Sequence, residues 1–185
     1  MTRVLVAYAT RHGSTAGIAE RVAARLGAAG LQAEARPAAE VRNASAYDAF
    51  VVGGAAYMTR WLGGAIGFVE RNRATLAARP TWLFSSGRSG RTSWTSGGAT
   101  SSRRPCPRSS QRLRDMVRPR GEMVFFGAID PAAKPIGLAE RLTSLMPAAR
   151  DALPKGDFRD WAAIDAWADE VAAVLGSPGE TLTPS

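Results

Sequence analysis

The chain has 185 residues, 45% of them hydrophobic, a size and composition that suit one domain with a full core. It contains no apolar run of the roughly 20 residues needed to cross a bilayer. The sequence Met1-Thr2-Arg3 leads directly into a strand pattern without a signal peptide, so we expect a cytoplasmic protein. The single cysteine, Cys106, excludes an internal disulfide, and one cysteine with one histidine argues against a His/Cys metal site.

The net charge of +8 is concentrated in one segment of the chain. Residues 88–120 contain nine arginines and one acidic residue, Asp115, so the rest of the chain is neutral. The basicity is therefore local and not a property of the fold, which argues against the nucleic-acid-binding function that the net charge alone would suggest. The segment is rich in Ser, Arg, Gly and Pro and shows no sustained periodicity, apart from a short helix predicted at 111–117. It is either a basic loop for an acidic partner or anionic substrate, or the product of a compensated frameshift, and it leaves the helix before the last strand in doubt.

Strands and helices alternate along the chain. Apolar runs predict buried strands at Val4–Ala9, Tyr47–Gly53, Thr81–Ser86 and Met123–Gly127, and an alternating pattern predicts an outer strand at Leu31–Arg36. Helical spacing predicts helices after Gly13, over Gly63–Leu76, around Leu138–Met146, and from Asp157 to Leu175 with Trp161 and Trp167 in the core. This order predicts one α/β domain over residues 1–176, with a tail at 177–185. Its parallel sheet has five strands in the order 2-1-3-4-5, covered by helices on both faces.

The turn between the first strand and the first helix predicts a phosphate site. Backbone N–H groups at a helix N-terminus bind anions, Gly13 lets a ligand approach closely, and Thr10, Ser14 and Thr15 add hydroxyl groups. The alternative is an ordinary turn in which Ser14 is only a helix cap. The P-loop pattern and the dinucleotide pattern G-x-G-x-x-G are both absent.

Two further loops follow strands that end at the same edge of such a sheet. The second loop, Gly53–Trp61, has small residues where a flat ring could approach and aromatic residues that could stack on it or cap the surface. The third loop, Ser85–Gly90, offers backbone groups for a ring edge. A phosphate socket, a ring wall and a polar rim together describe a site for flavin mononucleotide (FMN).

The motifs of this chain resemble those of flavodoxin-domain proteins, in particular the menaquinone-dependent protoporphyrinogen oxidase type. The resemblance rests on Tyr-Ala-Thr-Arg-His-Gly-Ser-Thr (8–15), Gly-Ala-Ala-Tyr (54–57), Trp-Leu-Phe-Ser-Ser-Gly (82–87) and Gly-Asp-Phe-Arg-Asp-Trp (156–161), and it excludes residues 88–120. It implies a flavodoxin-like three-layer α/β/α sandwich with bound FMN. By this resemblance, the phosphate is held by Thr10, Arg11, His12, Gly13, Ser14 and Thr15, the ring is flanked by Ala55, Ala56 and Tyr57, and its edge meets Ser86, Gly87, Arg88, Ser89 and Gly90.

The resemblance also implies a function, which is oxidation of a small-molecule redox substrate with transfer of electrons through FMN to a quinone-type acceptor. Flavodoxin-like electron carriers are usually strongly acidic, and this chain is not. The apolar stripe Leu138, Leu142, Leu145 and Met146 could meet a quinone, a porphyrin or the inner face of the membrane, or it could pack on the sheet. A non-enzymatic electron carrier and a flavodoxin-like domain without flavin remain the alternatives. No side chain stands out as a catalytic acid or base, and nothing in the sequence requires nucleic acid.

Overall fold

A computed structural model of the chain describes residues 1–11, 13–57, 60–87, 93–95, 108–126, 128–129, 156–157 and 159–176. Its strands are β1 (Arg3–Ala9), β2 (Gln32–Pro37), β3 (Ala49–Tyr57), β4 (Arg60–Trp61), β5 (Thr81–Gly87), β6 (Ser93–Thr95), β7 (Gly121–Phe126), β8 (Ala128–Ile129) and β9 (Gly156–Asp157). Its helices are α1 (Ser14–Ala28), α2 (Gly63–Arg71), α3 (Arg73–Ala77), α4 (Arg108–Val117) and α5 (Trp161–Gly176).

The main sheet confirms the predicted topology. Strands β2, β1, β3, β5 and β7 lie side by side and parallel, which is the order 2-1-3-4-5 among the parallel strands. Two strands that the sequence did not predict extend this sheet. The first, β6, pairs antiparallel with the outer side of β7, and the second, β4, pairs antiparallel with the end of β3.

The core occupies both faces of the sheet because successive side chains of a strand point to opposite sides. In β1, Val4 and Val6 pack with α1 and α5, whereas Leu5 and Ala7 pack with α2, α3 and α4. All four side chains are fully buried. This two-sided burial explains why the strand reads as an unbroken apolar run.

Several predicted boundaries are wrong for identifiable reasons. The helix predicted at 63–76 is interrupted at Asn72, whose backbone N–H and side-chain Nδ2 both donate to the carbonyl of Phe68, at 3.1 and 2.9 Å. The last helix begins at Trp161 and not at Asp157, because the side chain of Asp160 accepts a hydrogen bond from the N–H of Ala163 and so caps the helix.

Helix α4 confirms the short helix predicted within residues 88–120. It is longer than the predicted segment 111–117 and begins at Arg108. Leu113 and Val117 are fully buried or nearly so against the core beside α2 and α3. Arg114 also pairs with Glu122 of β7, with Nε and Oε1 2.7 Å apart. The second half of the basic segment is therefore anchored to the domain.

Candidate functional site

Strands β1, β3 and β5 end side by side at one edge of the sheet. Ala9 pairs with Gly54, and Gly54 pairs in turn with Ser85. One step further along the strands, Ala55 pairs with Ser86. The chain segments that follow these strands therefore leave the sheet at neighbouring points, which is the arrangement expected of a ligand site at a change in strand order.

The turn after β1 leads into α1 through Gly13. This residue is the N-cap of α1 and has a left-handed backbone, with φ 81°, which glycine adopts without steric cost. The first backbone hydrogen bond of the helix runs from the N–H of Gly17 to the carbonyl of Gly13, at 3.1 Å. The N–H groups of residues 14–16 precede this bond, so the helix itself provides no carbonyl for them.

The electrostatics of this turn suit an anion. The first turn of α1 contains no acidic residue and Gly13 offers no capping side chain, so neither of them opposes the positive end of the helix dipole. Among the described residues, no atom lies within 4 Å of the point where a Cβ on Gly13 would stand. Thr10 and Ser14 are half-buried and Arg11 is exposed. The donors present and the open space beside Gly13 therefore fit a phosphate group.

A hydrogen bond joins the first and third predicted loops. The hydroxyl oxygens of Thr15, in the first turn of α1, and Ser86, near the end of β5, lie 2.6 Å apart. Both residues are buried, with Thr15 0% and Ser86 3% exposed. The structure thus brings together two segments that are separated by 71 residues in the sequence.

The end of β3 differs from the predicted loop. The strand continues through Ala55 and Ala56 to Tyr57, and the chain returns in β4, where Ala56 pairs with Trp61. Trp61 is 5% exposed and covers Gly54, where an added Cβ would stand 2.6 Å from the indole ring. Trp61 is therefore a buried packing residue, and neither a surface cap nor a free stacking platform.

Several predicted site residues cannot be placed at the side-chain level. His12, Arg88, Ser89 and Gly90 lie outside the described residues, as do Leu138, Leu142, Leu145 and Met146 of the apolar stripe. For Ala56 and Tyr57 only the backbone is described. Thr10, Arg11, Gly13, Ser14, Thr15, Ala55, Ser86 and Gly87 all lie at or beside the edge where β1, β3 and β5 end.

One cluster beside α1 was not predicted. The guanidinium group of Arg159 lies over the ring of Trp161, 4.4 Å from its centroid, and its Nε and Nη2 donate to the carboxylate of Asp157 at 2.7 and 2.6 Å. These hydrogen bonds raise the pKa of Arg159 and lower the pKa of Asp157. A Cβ on Gly17 would stand 2.5 Å from Nη1 of Arg159, so the guanidinium group rests directly against the first turns of α1.

This cluster borders a groove of about 540 Å³ beside α1, lined by Gly17, Glu20, Arg21, Arg159 and Trp161. Trp161 is 36% exposed here, which corrects the prediction that it belongs to the core, whereas Trp167 is 2% exposed and confirms it. The sequence signals for the cluster are the motif Gly-Asp-Phe-Arg-Asp-Trp (156–161) and Gly17, because a glycine inside a helical pattern often has a packing reason.

Tyr8 is a titratable residue one position before the end of β1. Burial raises its pKa, and the negative charges of Glu20 and Glu40 raise it further. The phenol therefore stays protonated at neutral pH and is not poised to act as a base.

The described part of the chain has neither a metal-binding cluster nor a membrane-spanning helix. No group of three or more His, Cys, Asp or Glu side chains is placed so that it could hold a metal ion there. No helix in the same part of the chain combines the length and apolar character needed to span a bilayer.

Comparisons with known proteins agree with the topology. A family model described as "Flavodoxin domain" matches residues 5–141. Among curated protein sequences, none matches the chain significantly. A cysteine-to-serine variant of the flavodoxin from Pseudomonas aeruginosa is 18% identical, with a TM-score of 0.58 over 95% of this chain and 100% of that chain.

Two other solved structures are similar to the same extent. A flavodoxin from the domain Archaea is 12% identical, with a TM-score of 0.59 over 95% of this chain and 99% of that chain. The rubredoxin oxygen:oxidoreductase of Desulfovibrio gigas is 11% identical, with a TM-score of 0.56 over 95% of this chain and 36% of that chain. At these identities the likeness demonstrates a shared fold and no more.

Proposed function

Because the chain belongs to the flavodoxin-domain family, whose cofactor is FMN, we propose that it is an oxidoreductase that moves electrons from a reduced small molecule to a quinone-type acceptor. The observation that carries the proposal is the hydrogen bond between Thr15 and Ser86, since it joins the turn after β1 to the end of β5. Bound FMN would supply the electron-transfer chemistry, and the protein would supply binding, orientation and electrostatics.

In this proposal the turn after β1 holds the phosphate of the cofactor. The N–H groups of the first turn of α1 and the hydroxyl groups of Thr10 and Ser14 provide the donors. By the sequence resemblance, Arg11 and His12 would add positive or polar groups to this site. The uncapped, acid-free start of α1 supports this role because a dianion there is stabilised by the helix dipole.

The same edge holds the ring in this proposal. Ala55, Ala56 and Tyr57 lie at the end of β3 and flank the flat ring, and Gly87 with Arg88, Ser89 and Gly90 follows β5 and meets the ring edge. The small side chain of Ala55 supports close approach of a planar group. The hairpin of β3 and β4 supports a fixed position for residues 55–57 beside the ring, because it pairs Ala56 with the buried Trp61.

Charge favours an enzyme over a non-enzymatic carrier. The net charge of +8 does not suit a protein that docks on basic reductases. It suits an anionic substrate such as a porphyrinogen carboxylate, and peripheral contact with an anionic membrane surface. In each turnover two hydrogen atoms would pass from the substrate to one quinone, which becomes a hydroquinone. Complete oxidation of a porphyrinogen to a porphyrin removes six hydrogen atoms, so it would take three turnovers and three quinones.

The proposal is tested with purified protein reconstituted with FMN. The protein is incubated without oxygen with a porphyrinogen and a water-soluble quinone, and formation of the fluorescent porphyrin is followed. We expect a flavin spectrum that is shifted from free FMN, and porphyrin formation that requires both protein-bound FMN and quinone. Protein without FMN is the control.

Three outcomes distinguish the alternatives. Quinone-dependent turnover supports the proposed oxidase. FMN binding with no turnover, but with single-electron exchange with a reductase, would replace it by an electron carrier. Failure to bind FMN would overturn the proposal and leave a flavodoxin-like domain without flavin.

A further inference from the structure

We propose that Ser86 is a positioning residue for the phosphate end of the cofactor, acting through Thr15, and not a contact for the ring edge. This inference rests on the proposed function, because it assumes that the turn after β1 binds the phosphate of FMN. It differs from the expectation of the sequence resemblance, which assigns Ser86 to the ring edge and the Thr15 hydroxyl to the phosphate.

The position of Ser86 in β5 supports this role. Trp82 and Phe84 precede it at intervals of two and pack in the core beneath α1 and α5. The alternation of a strand therefore turns Ser86 toward α1, where its hydroxyl oxygen lies 2.6 Å from that of Thr15. Ser86 is 3% exposed, so little of it is open to a ligand.

The burial of Thr15 supports the same role. Thr15 is 0% exposed, and its hydroxyl is hydrogen-bonded to that of Ser86, with either oxygen able to be the donor. Thr15 would contribute to anion binding through its backbone N–H in the first turn of α1. Core packing of Ile18 and Val22 sets the axis of α1, and the hydrogen bond to β5 fastens its first turn, which directly follows Gly13 with φ 81°.

Ser85 provides a matched control. It is also buried, with 5% exposure, and it lies on the same strand next to Ser86. Its side chain points to the opposite face, because Leu83, two residues before it, packs with α2, α3 and α4. Loss of the Ser85 hydroxyl therefore leaves the tie to α1 intact.

The experiment compares binding of FMN with binding of riboflavin, which has the same ring but no phosphate. Flavin fluorescence quenching gives both dissociation constants for the wild type, Ser86→Ala, Ser85→Ala and Thr15→Val. We expect Ser86→Ala and Thr15→Val each to weaken FMN binding by about tenfold and to leave riboflavin binding unchanged. Ser85→Ala should bind FMN as the wild type does.

Two further variants separate positioning from general damage to the fold. The double variant Thr15→Val/Ser86→Ala should lose no more FMN affinity than either single variant, because both remove the same hydrogen bond. Thr15→Ser retains the hydroxyl and should restore FMN affinity to within about threefold of wild type. Circular dichroism and thermal melts establish that each variant is folded.

The outcomes are distinguishable from those of the proposed function. An equal loss of FMN and riboflavin affinity in Ser86→Ala would place Ser86 at the ring and overturn the inference. Unchanged FMN binding in that variant would also overturn it. If the wild-type protein binds neither flavin, the proposed function itself fails.

Discussion

Gly53→Ala tests whether the packing of β3 against β5 leaves room for one methyl group. Gly53 pairs with Phe84 of β5, and the Phe84 ring folds back over it. A Cβ on Gly53 would stand 2.1 Å from Cζ of Phe84, about 1.4 Å short of the ~3.5 Å contact of two carbon atoms. The ring must move, or the strands must separate.

The ring has no free space into which it can move. Phe84 is 0% exposed and lies 5.9 Å from the centroid of Phe125 and 6.1 Å from that of Trp167. Overpacking of a closed core costs about 1–3 kcal/mol, and this overlap belongs at the upper end of that range. For a domain of this size, about 3 kcal/mol lowers Tm by roughly 6–12 °C.

Urea denaturation followed by circular dichroism measures the free energy of unfolding of Gly53→Ala. The control is Gly27→Ala in α1, where no atom among the described residues lies within 4 Å of the new Cβ, and which we expect to stabilise the helix by up to ~1 kcal/mol. A double variant, Gly53→Ala/Phe84→Leu, should be more stable than the sum of its single effects predicts, because the smaller side chain relieves the overlap. A change of less than about 0.5 kcal/mol in Gly53→Ala would refute the described packing.

Three further variants test other sites. In Gly13→Ala the alanine must adopt φ 81°, which should cost about 1–2 kcal/mol of stability. FMN affinity should fall more than riboflavin affinity in the fluorescence titration, and equal losses of the two affinities would contradict an anion site at this turn. Gly17→Ala should displace Arg159, shifting tryptophan fluorescence in the folded protein, and an unchanged spectrum would show that the guanidinium group is not seated against α1. The hydrogen bond from Tyr47 lowers the pKa of Glu34 below its ordinary value of 4.5. The contribution of Glu34 to the free energy of unfolding is therefore complete above pH 4.5 and is lost as the pH falls further. Glu34→Gln should flatten the fall of stability in acid, and an unchanged slope would assign that fall to other carboxylates.

The parallel sheet could be predicted because its signal is local and strong. The run Val4–Ala9 is apolar at every position because Val4 and Leu5 are buried on opposite faces. Such runs separated by helical patterns predict a parallel sheet. The turn at Gly13 was also predictable, because a strand followed by hydroxyl residues and glycine before a helix is a recognisable pattern.

Other features depend on contacts that the sequence does not display. Helix α4 was only partly predicted because Leu113 and Val117 are its buried anchors among many polar residues, so its apolar stripe is very narrow. The exposure of Trp161 follows from the cap at Asp160 and from stacking with Arg159, neither of which has a periodic signal. The hydrogen bond between Thr15 and Ser86 joins two residues that are distant in the sequence, and each by itself has the sequence pattern of an ordinary turn residue.

The strand β6 bears on self-association of the protein through the edge of its sheet. Without it, β7 would present an open row of backbone hydrogen-bonding groups, which invites edge-to-edge aggregation. Its pairing with β7 replaces an edge strand of six residues with an outer strand of only three, Ser93–Thr95, which is too short to template much pairing. The opposite border, β2, carries the ion pair of Glu34 and Arg36 and ends in a proline, features that discourage strand addition. We therefore expect the basic segment that contributes β6 to help keep the protein dispersed at high concentration.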